Sequence, residues 1–113
     1  VAKNGLSLRS GDIILFRLNS PDGSPVYSGL SKPVAEHLAE MNAKLIGTDQ
    51  GSIDWSANKS RPAHVALLGA GIPVVEGLCR LAELSGIRFI FCGFPLKIRG
   101  ATGSPIRAVA MIS

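Results

Sequence analysis

Apolar residues fall along this chain in short runs with two different periods. Ile13-Ile14-Leu15-Phe16 is continuously apolar between Asp12 and Arg17, which predicts a strand buried on both faces. Ser10-Gly11-Asp12 before it reads as a turn, and 19–28, rich in Ser, Pro, Gly, Asp and Asn, as a loop. Ser31 then stands as a helix N-cap with Pro33 in the first turn. Val34, Leu38 and Met41 follow at helical spacing and mark a buried stripe, with His37 off it between Glu36 and Glu40 as a solvated residue. Lys44-Leu45-Ile46-Gly47-Thr48 is a short strand that delivers Asp49 at its C-terminal end, where α/β proteins commonly place ligands. Pro62 opens a second helix. Leu78, Leu81 and Leu84 suggest a short third one, 88–94 is strand-like, and 106–112 is the last strand. The order βαβαβ-α-ββ predicts an α/β domain with a mixed sheet and flanking helices, occupying 1–113 as a single domain.

The stretch from His64 to Glu76 stands out within that pattern. It begins with one of only two histidines and ends with a carboxylate after an apolar run. Between them lie a short helical piece, Gly69-Ala70-Gly71, and a β-like piece from Ile72. A helix rises about 1.5 Å and a strand about 3.3 Å per residue, so a reversal at the glycines brings His64 and Glu76 back together. An imidazole and a carboxylate so placed are half of a metal site. The spacing alone is equally that of a hydrogen-bonded histidine and a solvated strand end. Asp49 and Asp54 are candidate site carboxylates that also suit turn chemistry, accepting backbone hydrogen bonds in loops. Trp55, the single tryptophan, reads as a core or interface anchor.

Composition narrows the function classes. At 113 residues and 46% hydrophobic, the chain is globular and large enough for one core. A net charge of +4 argues for neither nucleic acid nor membrane, and no apolar run reaches the roughly 20 residues that span a bilayer. Val1-Ala2-Lys3-Asn4-Gly5 has neither an initiator Met nor a signal-peptide core, so residue 1 is not expected to be where translation began. Cys79 and Cys92 sit in apolar contexts without C-x-x-C spacing and read as buried free thiols, in keeping with a reducing cytoplasm.

Several motifs fail on inspection. Gly69-x-Gly71 follows a helix rather than a strand and has Val74 where a dinucleotide fingerprint needs its third glycine. Gly100-Ala101-Thr102-Gly103-Ser104 lacks the Gly-Lys-Ser/Thr ending of a P-loop. Lys97, Arg99 and Arg107 form a basic cluster without interleaved aromatics for base stacking. No Gly-x-Ser-x-Gly elbow is present.

Four stretches in order, LRSGDIILFR, GLSKPVAEHLAEMNAKLIGTDQGSIDW, HVALLGAGIPVVEGLCRLAEL and FCGFPLKIRGATGSPIRAVAMI, resemble the C-terminal half of the cyclase family. That family includes kynurenine formamidases, isatin hydrolases and related metal-dependent amide hydrolases. The resemblance implies a swivelling β/β/α fold, incomplete without its N-terminal half. It implies hydrolysis of an amide, lactam or similar small carbonyl compound by water activated on a divalent metal, zinc or manganese. It maps two metal ligands onto His64 and Glu76; Asp49, at its strand's C-terminal end, is the candidate substrate-binding residue. The family's other ligands come from a His-x-Gly-Thr-His-x-Asp-x-Pro-x-His motif with no counterpart here, His37 being in the wrong context. Two ligands do not hold a catalytic zinc, which usually needs three and an open position. The resemblance therefore implies a partner, either the N-terminal half of the same enzyme or a companion chain, in a homo- or hetero-oligomer. The alternative reading is a non-catalytic interaction or scaffold domain built on the same fold.

Overall fold

The computed structural model describes residues 7–24 and 28–113. The expectation for the first five residues, and that part of the predicted loop at 25–27, lie outside the described residues. The elements follow in the order β1 (Ile13–Phe16), α1 (Lys32–Glu40), β2 (Leu45–Thr48), α2 (Pro62–Gly69), β3 (Val74–Val75), a 3-10 turn (Leu81–Leu84), β4 (Ile90–Pro95) and β5 (Ile106–Met111). This is the predicted α/β order. Parallel and antiparallel pairings are both present, but they fall in two sheets. β1, β2 and β3 form a parallel sheet in that order, with Ile14 opposite Ile46 and Gly47 opposite Val75. β4 and β5 form an antiparallel ribbon, with Cys92 opposite Val109. Parallel strands need crossovers, and α1 and α2 supply them.

The core forms where those helices meet the parallel sheet. Ile14, Ala35, Leu38, Ile46, Ala63, Leu67 and Ile72 are buried in one cluster. Ile53, from the loop after β2, is fully buried with them. The buried face of α1 is Ala35 and Leu38, with Met41 half-buried behind it. Val34, expected in this stripe, is exposed, because the small side chain of Ala35 lets α1 pack closely one position round.

α2 ends in a complete reversal. Gly71 adopts φ +77°, its N–H donates to the Leu68 carbonyl, and the Ile72 N–H donates to the Leu67 carbonyl. This is a Schellman closure, in which a left-handed residue is favoured as glycine, and Leu67 and Ile72 are joined in the core beneath it. The chain then runs straight into β3.

The β4–β5 ribbon is the least covered part of the fold. The apolar strand-like run at 88–94 lacks cover on one side: Ile90 is 63% exposed and Phe94 79%. Ile90, Val109 and Met111 share one apolar face of the ribbon, which no described element covers. On this uncovered face Cys92 is only half-buried, while Cys79, in the loop beyond β3, is exposed; neither is the buried thiol anticipated. An ion pair between Arg88 and Asp12, 3.2 Å long, links the start of the ribbon to the turn before β1.

The packing predicts a sharp contrast between adjacent leucines. Leu67→Ala, at a fully buried position, is expected to cost about 2–5 kcal/mol in urea denaturation. Leu68→Ala, on the exposed side of the same turn, is expected to stay within about 0.5 kcal/mol of wild type.

Candidate metal centre

The loop after β2 and the loop after β3 are tied together at the C-terminal ends of their strands. Gly77 N–H donates to the Gln50 carbonyl and Leu78 N–H to the Thr48 carbonyl. Glu76, just ahead of them, is thereby held beside the loop that carries Ile53 and Asp54. Its Oε2 accepts the Ile53 N–H at 2.7 Å. A third segment closes over this loop, since Leu30 N–H donates to the Ile53 carbonyl. Gly29 sits so close that a Cβ there would lie 2.5 Å from the Trp55 nitrogen. Its φ of +95° also disfavours any side chain.

Asp54 is 4% exposed and accepts hydrogen bonds at both oxygens. Oδ1 takes the Ala63 N–H at 2.8 Å. Oδ2 takes the His64 N–H at 2.9 Å and lies 2.7 Å from His64 Nδ1. Arg61, which precedes α2, adopts a left-handed conformation and offers no side-chain cap. Asp54 supplies the missing cap from seven residues upstream, and its charge suits the positive end of the helix. Burial pushes this carboxyl up, but the two backbone N–H groups, the imidazole bond and the imidazole charge outweigh it and leave it below the ordinary range.

On its other side, His64 Nε2 lies 3.1 Å from Glu76 Oε2. Each imidazole nitrogen therefore faces a carboxylate, and an ionised carboxylate only accepts. A neutral imidazole has one N–H and serves only one of them. The second facing pair is favoured by a positive charge, either a second proton or a cation between the atoms. Donors bound to one Zn²⁺ at about 2.0–2.2 Å lie roughly 3 Å apart, so nitrogen and oxygen fit two adjacent positions around one ion. Among the described residues no group of three or more His, Cys, Asp or Glu is arranged to hold a metal.

The predicted approach of His64 to Glu76 is thus present. Asp49, directly after β2, accepts the Leu18 and Asn19 N–H groups at 2.8 and 3.2 Å and fastens the turn after β1. No hydrogen bond or ion pair among the described residues joins it to His64 or Glu76. His37 is exposed on α1, as its position off the stripe implied. Asp54 does accept backbone N–H groups, as turn chemistry predicts, but at the start of α2, where it also meets the His64 ring.

No family model matches the chain. It is 35% identical over 83 residues to a kynurenine formamidase of Sphingopyxis alaskensis, an alignment covering 74% of this chain and 39% of that protein. With the kynurenine formamidase of Salinibacter ruber it shares 42% identity over 72 residues, 64% of this chain and 34% of the relative. A structure described as a potential metal-dependent hydrolase with cyclase activity superposes with a TM-score of 0.77 at 26% identity, covering 93% of this chain and 53% of that one. The chain belongs to the kynurenine formamidase-like cyclase family. A second member, described as a predicted metal-dependent hydrolase from Bacillus stearothermophilus, superposes equally well, with 93% of this chain matching 52% of it at 26% identity. The chain spans about half the length of these solved structures and under two fifths of these two curated relatives.

The Asp54 environment fixes a pH dependence. Its folded-state pKa is lowered, so its contribution to stability is full above the unfolded carboxylate value and is lost as pH falls through the folded one. Acidification below about pH 4 is expected to lower the denaturation midpoint of wild type. Asp54→Asn is expected to start less stable and show a flatter acid limb in the same titration.

Proposed function

We propose that this chain is one part of a metal-dependent hydrolase acting on an amide, lactam or related small carbonyl substrate, as kynurenine formamidases do. The observation that carries the reading is the His64 Nε2–Glu76 Oε2 pair, which favours a positive charge between its atoms. In this reading the charge is a divalent ion, zinc or manganese, held by His64 and Glu76. Such an ion acidifies water and polarises a carbonyl. The chain's own residues hold and aim the two donors: Asp54 the imidazole, the Ile53 amide the carboxylate. Asp49, whose carboxylate holds the loop after β1, remains in this reading the candidate substrate-binding residue.

Further ligands come from a polypeptide corresponding to the part of the family domain that this chain does not span. Support for such a partner lies in the exposed apolar face of the β4–β5 ribbon and in the partial coverage of the relatives. That same apolar face favours the second reading, an interaction domain without catalysis. No described helix is long and apolar enough to cross a membrane.

The test is metal content by elemental analysis alongside the rate of amide hydrolysis, on the chain co-purified with a polypeptide bearing the family's His-rich motif. His64→Ala and Glu76→Gln are expected to lower both together, by about tenfold or more in metal affinity, while His37→Ala changes neither. Full metal and full rate in His64→Ala would overturn the assignment. A stable complex that binds no metal would favour the interaction reading.

A further inference from the structure

We propose that Asp54 is a positioning residue that locks His64 as the Nδ1–H tautomer and so presents the bare Nε2 toward Glu76. The inference rests on the metal reading for its purpose, but not for its geometry.

The chemistry follows from counting donors. Asp54 Oδ1 and Oδ2 already accept the backbone N–H groups of Ala63 and His64. Ionised and 4% exposed, this carboxylate has nothing to donate. An imidazole lone pair at Nδ1 would then face negative charge at 2.7 Å, so Nδ1 carries the proton and donates. The contact is as short as a charge-assisted hydrogen bond. The competing contact, Nε2 to Glu76, is longer at 3.1 Å, and the Glu76 side chain is 31% exposed against 4% for Asp54. Water therefore screens the Glu76 contact more, and the single proton of a neutral imidazole resides on Nδ1.

One carboxylate thus does two things at once. It binds the N–H groups of the second and third residues of α2, and it binds the side chain of that third residue. The start of the helix and the plane of the imidazole are set by the same buried group. Ile53, its chain neighbour, fixes Glu76 through its own N–H. A carboxylate that orients a histidine from the far side of the ring raises its basicity and holds its direction for an ion at the other nitrogen.

The decisive measurement is long-range proton–nitrogen NMR of the chain labelled in its histidine rings, without added metal, at a pH where imidazole is neutral. His64 is expected to show a protonated Nδ1 and a bare Nε2. His37, exposed on α1, serves as the internal reference and is expected to show the opposite tautomer dominating, as in free imidazole side chains. In Asp54→Asn, the His64 pattern is expected to move toward that of His37. Zn²⁺ alone, titrated into both proteins, is expected to bind the variant about 10- to 100-fold more weakly. A proton on Nε2 of His64 in the intact chain overturns the proposal, as does an unchanged Nδ1–H pattern in a folded Asp54→Asn. If that variant does not fold, the tautomer of the intact chain still decides. If the Nδ1–H tautomer is found but Zn²⁺ does not bind even with the partner polypeptide present, the metal reading fails and the positioning role stands.

Discussion

A single buried carboxylate joins the helix, the loop and the histidine of this site. Asp54 lies under the first turn of α2, where three donors converge on its two oxygens. Removing it would leave two helix-terminal N–H groups and an imidazole without their acceptor in a buried place, the costly side of hydrogen-bond accounting. Burial alone disfavours an ionised carboxylate; here the donors outweigh it, and the charge persists. The fold around Asp54 is arranged to keep it there. Ile53 beside it is fully buried, and the backbone at Gly29 presses so closely on the Asp54–Trp55 peptide that no side chain fits between.

The rest of the site is delivered by the parallel sheet. β2 and β3 run side by side, so the loops at their C-terminal ends meet, as is usual for ligand sites in α/β sheets. The reversal at Gly71 is what makes this possible over so short a stretch. It turns α2 directly into β3 and brings Glu76 back to the level of His64. The Schellman bonds, the Leu67–Ile72 core contact and the pairing of Val75 with Gly47 all act on the same twelve-residue excursion.

The ribbon is built on a different principle. Its strands are as apolar as β1, but they are paired only with each other and leave one face uncovered. Contiguous apolar surface of this kind is what the proposed partner polypeptide would cover. The solved relatives have about as much chain again outside the matched part.

Much of this was legible in the residues. The element order follows from the apolar periods, the helix starts from Ser31 and Pro62, and the reversal from Gly69-Ala70-Gly71. These are local properties, set by backbone geometry within a few positions, and sequence carries them directly. The meeting of His64 with Glu76 was legible too, since only one helix and one short strand separate them. What the sequence did not decide was which carboxylate does what. Asp49 and Asp54 sit five residues apart in the same loop with the same turn chemistry open to both. Asp49 is taken by the turn after β1 and Asp54 by α2, because the tertiary fold brings different backbone N–H groups to each. That apolar surface would stay uncovered was also legible, from two-face apolar strands with few helices to cover them; only the packed structure shows that it is this face of the ribbon that is left bare.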